Sequence, residues 1–285
     1  MKYAWMVVAL ATVAAQASSN ISVTNHLAHA ANPGWIDARA DATNGAVIGE
    51  YVCSGNMYGA NVGWINLGVG APTNGIRYGN ASSNDFGVNH DGVGNLRGFA
   101  YGANIGWINF ESNGNPRVNL LTGNLDGYAY GANVGWISLS NAFAFVQADT
   151  LRCATDADAD GIPDAWEIER VGSTNILGGA GDSDADGVSD RAEYLADTDP
   201  IGSSDFLHIA LNAASNATQV TVAWPSRPTR LYKIEASGAT TNDATWTDSG
   251  LGIFAPDGTN TTRTLTEGPA TTRFYRVLGV RPYGP

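Results

Sequence analysis

Apolar and polar residues alternate over short stretches along most of the chain, and in the first half this alternation is itself repeated. Leu96-Arg-Gly-Phe-Ala-Tyr-Gly-Ala-Asn-Ile-Gly-Trp-Ile-Asn-Phe110 is nearly copied by Leu125-Asp-Gly-Tyr-Ala-Tyr-Gly-Ala-Asn-Val-Gly-Trp-Ile-Ser-Leu139. An earlier copy runs from Cys53 to Leu67, and Asn32-Pro-Gly-Trp-Ile36 is a degenerate fourth. The tryptophans fall at 35, 64, 107 and 136, at intervals of 29, 43 and 29 residues, as in a duplicated pair. Each unit predicts a β-hairpin: an arm ending in Tyr58, Tyr101 or Tyr130, a Gly-Ala-Asn turn whose Gly and Asn tolerate positive φ, and a second arm carrying Gly-Trp-Ile. Period-two geometry puts Trp64, Trp107 and Trp136 on one face and Ile65, Ile108 and Ile137 on the other. Both faces are apolar, so the units are expected to cover one another by sheet packing or stacking, with the tryptophans in the core. Asn61, Asn104 and Asn133 are expected to satisfy turn backbone.

Alternation returns near the C-terminus. Val220, Val222 and Trp224 share one face of a strand, Tyr232, Ile234 and Ala236 a face of another, and 262–266 and 273–280 supply further strands between turn signals. The expected fold class is mainly β. It comprises an aromatic β-hairpin repeat domain over 18–150, a short helical connector over 151–203, and a small β-sandwich of fibronectin III or immunoglobulin-like type over 204–285. Residues 1–17 read as a signal peptide: Lys2 supplies positive charge, 4–14 are apolar, and Ala15-Gln16-Ala17 is a cleavage site. A secreted or cell-surface setting is therefore expected, with no membrane span.

Charge changes the picture in one place. Residues 149–200 hold eleven Asp and three Glu against three Arg, which is −11 of the chain's net −12. Nucleic acid is disfavoured as a partner, because no basic stripe is present to neutralise phosphates. Within this segment, Asp156, Asp158, Asp160, Asp164 and Glu167 stand at positions 1, 3, 5, 9 and 12 of a twelve-residue loop. Asp182, Asp184, Asp186, Asp190 and Glu193 repeat that spacing, and Gly161 and Gly187 occupy position 6. Calcium takes six to eight hard oxygens, so a tight turn offers alternate carboxylates, Gly allows the bend, and the last Glu reaches back from the following helix. The carbonyls of Ile162 and Val188 complete two expected calcium sites. Ile162 with Trp166, and Val188 with Ala192 and Leu195, give each short helix an apolar face. Asp197 and Asp199 are further candidate ligands. No helix-forming stretch precedes either loop, so the opening motion of a sensor is not implied.

The two Asp-Xaa-Asp-Xaa-Asp-Gly-Xaa-Xaa-Asp runs, Pro163-Asp-Ala-Trp-Glu167 and Glu193-Tyr-Leu-Ala-Asp-Thr-Asp-Pro200 resemble bacterial secreted proteins with thrombospondin type 3-like calcium repeats. The resemblance extends to Val222-Ala-Trp-Pro225, Leu231-Tyr-Lys-Ile234 and Arg273-Phe-Tyr-Arg-Val277, which look like the β-sandwich that often follows such repeats. It implies calcium binding and an extracellular setting, not catalysis.

Cys53 and Cys153 are the two cysteines, and in an oxidising compartment they are expected to form a disulfide; two separately buried thiols are the alternative. His26, His29 and His90 read as loop histidines, since no Cys or Glu completes a zinc set. Neither a nucleophile elbow nor a phosphate loop is present, so a non-enzymatic surface or matrix protein is the leading expectation. A carbohydrate-binding or glycan-active protein working through the aromatic repeats is the alternative, with a surface glycan or another protein as partner.

Overall fold

The computed structural model describes residues 18–216, 219–240, 245–266 and 273–282. The signal-peptide reading lies outside them. The aromatic repeats form four hairpins: β1 (Ile21–Ala30) with β2 (Gly34–Asp37), β3 (Ser54–Gly59) with β4 (Gly63–Val69), β5 (Leu96–Gly102) with β6 (Gly106–Asn109), and β7 (Tyr128–Gly131) with β8 (Gly135–Ser138). They do not stack as separate units. Neighbouring hairpins pair edge to edge, and β8 returns to β1 through His29↔Ser138 and Ala30↔Ile137, closing an eight-stranded antiparallel barrel. Closure removes the exposed strand edges.

The bore of so narrow a barrel decides which face points inward. In three hairpins a large residue directly faces a small one, Ile36 facing Ala28, Ile108 facing Ala100 and Ile137 facing Ala129, and in the fourth Ile65 faces the flexible Met57. All are buried. Where the bore meets the rest of the core, Ile21, Met57, Leu67 and Leu96 line a void of about 10 Å³, the lower limit for a single water. Side chains from the other strand face already fill the interior, and the expectation of core tryptophans is overturned. Trp35, Trp64, Trp107 and Trp136 are 49, 49, 45 and 49 % exposed on the outer wall. Truncating Ile108 to Ala is expected to cost about 2–5 kcal/mol, because the filled bore has no slack to collapse into the cavity; urea unfolding monitored by circular dichroism measures it.

The turns also differ from expectation in one detail. Positive φ falls on the glycine after the turn, at Gly34, Gly63, Gly106 and Gly135, and not on the turn asparagines. Those asparagines bond to backbone as expected, but that of the preceding hairpin. Asn61, Asn104 and Asn133 donate from Nδ2 to the carbonyls of Pro33, Val62 and Ile105, at 3.1, 3.2 and 3.0 Å. These three bonds link the four tips in series, while Val62, Ile105 and Val134 plug that end of the barrel. Gly59, Gly102 and Gly131 make room for the plugs: a Cβ there would lie 2.7 Å from each.

The three histidines expected in loops lie on strands. His26 and His29 lie on β1, and His90 is buried. Its Nδ1 donates to the Gly49 and Glu50 carbonyls at 3.1 and 3.0 Å, its Nε2 accepts from the Gly94 amide at 3.1 Å, and burial holds its pKa below the ordinary value.

Beyond the barrel come two short helices, α1 (Asp164–Val171) and α2 (Asp190–Ala196). Six strands follow: β9 (Leu211–Asn216), β10 (Gln219–Pro225), β11 (Leu231–Ser237), β12 (Thr247–Phe254), β13 (Asn260–Thr266) and β14 (Phe274–Val280). They form two three-stranded antiparallel sheets, ordered β9-β10-β13 and β12-β11-β14. Val222, Trp224, Tyr232, Ile234 and Leu265 form their common core, in the alternation predicted for β10 and β11. Among the described residues no helix is long and apolar enough to cross a membrane.

Candidate metal centre

Each acidic loop folds around its own carboxylates. In the first, the Gly161 amide donates to Asp156 Oδ2 at 3.0 Å and the Ile162 amide to Asp160 Oδ1 at 2.8 Å. In the second, Gly187 donates to Asp182 Oδ2 at 3.0 Å and Val188 to Asp186 Oδ1 at 2.8 Å. The near-identity of the two networks follows from the identical spacing. Gly161 and Gly187 adopt φ of +91° and +95°, as position 6 requires. Position 4 is also left-handed, with Ala159 at +61° and Ala185 at +63°, a strained conformation for a residue with a Cβ that the sequence pattern does not announce.

The turns bring Asp156, Asp158 and Asp160 together, with one oxygen from each within 4.8 Å of the others, and do the same for Asp182, Asp184 and Asp186. Either triplet has the geometry to hold a metal ion. Glu167 on α1 and Glu193 on α2 have no exposed surface. Several buried oxygens here lack a hydrogen-bond partner: Asp156 Oδ1, Asp160 Oδ2 and both Glu167 oxygens at the first loop, and Asp184 Oδ2, Asp186 Oδ2 and Glu193 Oε2 at the second. Buried carboxylate oxygens without donors are strongly unfavourable unless a cation compensates them. Burial, reinforced by Asp160 and Asp158, pushes Glu167 up to about 7. Burial, reinforced by Asp184 and Asp186, pushes Glu193 up to about 8. The donor set, all hard oxygens, suits calcium or magnesium and not zinc or copper.

At position 9 the expected ligands are hydrogen-bonded within or just ahead of their own loops. Asp164 Oδ1 accepts from the Ala157 amide at 2.9 Å. Asp190 accepts from the Ser183 amide, the Ser183 hydroxyl and the Gly178 amide, each at 2.9 Å. These two carboxylates brace the loops from behind. Asp197 is engaged away from the triplets: it accepts from Trp166 Nε1 at 3.2 Å, from Arg170 at 2.7 Å and from the Thr229 hydroxyl. Burial opposes its charge, but Arg230, Thr229 and Arg170 outweigh that and hold its pKa below the ordinary value. Asp199 Oδ1 accepts from the Ile201 amide at 3.3 Å.

The helix faces are partly as predicted. Ile162 and Trp166 are buried together, but on α2 Ala192 is exposed, and the buried apolar anchor is Tyr194. Tyr194 sits edge-on to Trp166, with centroids 5.5 Å apart. The guanidinium carbons of Arg230 and Arg281 lie 5.5 and 5.6 Å from its ring centroid, and its hydroxyl donates to Glu50 Oε2 at 3.0 Å. Arg230 also donates to the Tyr194 carbonyl at 2.7 Å and the Leu195 carbonyl at 3.1 Å, capping the end of α2. Thus the residue beside Glu193 joins a barrel loop to the C-terminal sheets. Gly279 on β14 lets the helix end approach, since a Cβ there would meet the Leu195 carbonyl at 2.7 Å.

The expected disulfide is not formed. Cys53 and Cys153 are both free thiols. Cys53 points into the barrel core, where burial raises its pKa to about 12, whereas Cys153 Sγ accepts from Arg281 Nη2 at 2.6 Å. No protein-family model, curated protein or solved structure matches the chain.

Proposed function

We propose that the protein is a non-enzymatic, exported calcium-binding modular protein of the cell surface or extracellular matrix, in which calcium makes the connector rigid and fixes the barrel against the C-terminal sheets. The observation that carries this reading is the set of partnerless buried carboxylate oxygens around the two Asp triplets. Asp156, Asp158, Asp160 and Glu167 would hold one ion, and Asp182, Asp184, Asp186 and Glu193 the other, with the Ile162 and Val188 carbonyls at position 7. A bound divalent cation supplies the positive charge that these oxygens lack. The thrombospondin type 3-like spacing and the signal-peptide-like pattern of charge and apolar residues over 1–17 favour calcium and export over an intracellular magnesium site.

Coupling to the rest of the molecule runs through α2. Its first turn carries Glu193, while Tyr194 and the following carbonyls hold Glu50, Arg230 and Arg281. Ordering the loop therefore orders the joint. Isothermal titration of the full-length protein with calcium is expected to show two sites, with Glu167→Gln and Glu193→Gln each weakening one of them. Absence of binding heat, or two sites unchanged in both variants, would sink the reading.

A further inference from the structure

The outer wall of the barrel carries a feature that calcium binding does not use. Each hairpin presents one aromatic pair directly across its two strands: His29 with Trp35, Tyr58 with Trp64, Tyr101 with Trp107 and Tyr130 with Trp136. Ring centroids lie 4.8 Å apart in the first pair and 4.9 Å in the other three. His29 takes the tyrosine's place in the degenerate repeat, a match visible only once the strands are paired. The four tryptophans are exposed to almost the same degree, and among the described residues none is covered over. Large aromatics left half in water around a whole circumference are unusual for a monomer and mark a binding surface.

We propose that these four pairs are equivalent subsites for a neutral polysaccharide. Charge argues first. Across strands β1 to β8 Arg97 is the one Lys or Arg and Asp37 the one carboxylate, already bonded to His26 Nδ1 at 2.7 Å. A single guanidinium gives such a surface little to attract phosphate, sulfate or an anionic bilayer. Amide and hydroxyl groups sit beside the rings instead: Asn66 is paired with Tyr101, Asn109 with Tyr130 and Ser138 with His29 across the seams between hairpins. An aromatic face flanked by such groups complements a pyranose, which has an apolar C–H face and hydroxyls at its edge.

Geometry argues second. Four hairpins around a closed barrel point their platforms in four directions. A bilayer or one rigid protein surface meets one side of a convex cylinder, whereas a flexible chain of identical units offers the same group to each platform in turn. Successive platforms are two strands apart, about 10 Å at the backbone, a disaccharide-scale span. Binding at one platform would therefore raise the effective concentration at the next. The Trp107 platform is the most extensive, because Phe86 and Phe99 approach the indole at 5.1 and 6.2 Å.

The test is retention of the full-length protein on swollen, amorphous cellulose and chitin, mannan and β-1,3-glucan, whose chains are free to wrap, with the preferred polymer's soluble oligosaccharides titrated afterwards. Wild type is expected to be held by at least one of these, equally in calcium and in chelator. Trp107→Ala should reduce retention several-fold, and replacing all four tryptophans by Ala should abolish it, with a loss on the order of 100-fold or more as multivalency disappears. Circular dichroism melts check that the exposed-site variants still fold, and a Tyr101→Phe variant, which keeps the platform, should retain binding. The proposal is overturned if no neutral polymer retains the wild type, or if retention survives the fourfold replacement. It is also overturned if the tryptophans prove to be needed for phosphatidylcholine vesicle binding, or for self-association in sedimentation equilibrium, and not for polysaccharide.

Discussion

Chelating calcium is expected to lower the melting temperature more at pH 8 than at pH 6.5. In the ion-free protein Glu167 and Glu193 titrate near 7 and 8, against about 4.5 when unfolded. Between those values the folded state holds protons that the unfolded state has released, so stability falls as pH rises, by up to about 1.4 kcal/mol per pH unit for each group. His90 works the other way, since burial keeps it neutral, but its effect is confined below the unfolded value of about 6.5. The window from 6.5 to 8 therefore isolates the glutamates. Calcium replaces the missing protons with stronger compensation: each site at one hundred times its Kd adds about 2.7 kcal/mol, and the loaded protein should lose the slope. Scanning calorimetry at both pH values, with calcium and with chelator, measures this. Superimposable melts with and without calcium at pH 8 would refute it.

Replacing Arg230 by Ala should be among the most damaging single changes, at about 3–5 kcal/mol. The side chain is 5 % exposed, lies 3.9 Å from Glu50 Oε1 and 3.8 Å from Asp197 Oδ1, and caps the Tyr194 and Leu195 carbonyls. Its removal leaves two nearly buried carboxylates short of a counter-ion and exposes the α2 end to a hole. Arg230→Lys keeps the charge but not the fork of donors, so it should recover part of the loss. Urea unfolding of the full chain gives the magnitude, and a change within 0.5 kcal/mol for Ala would show that the joint contributes nothing. Because Tyr194 follows Glu193 directly, calcium affinity should weaken in the same variant.

Much of the molecule is legible without coordinates, for local reasons. The Gly-Trp-Ile hairpins follow from period-two alternation around a turn. The acidic loops follow from oxygen spacing, and the faces of β10 and β11 from alternation against a single core. What could not be read depends on contacts between distant segments. Strands 211–216 and 247–254 lack a clean alternation, so nothing local announces them. Position 9 of each loop carries the right residue type, yet its carboxylate is engaged by amides that only the folded loop brings near. Tyr194, Glu50, Arg230 and Arg281 are ordinary residues in sequence and become a joint only where three parts of the fold meet.

By itself, then, the sequence determined that there are four copies of a hairpin with an isoleucine face and a tryptophan face, and two carboxylate loops with the spacing of a hard-cation site. Tertiary structure alone decided which hairpin face is buried. Two apolar faces on a strand are equivalent to a local rule. Once β8 pairs with β1, the closed bore is filled by isoleucine opposite alanine, and the tryptophans are left outside.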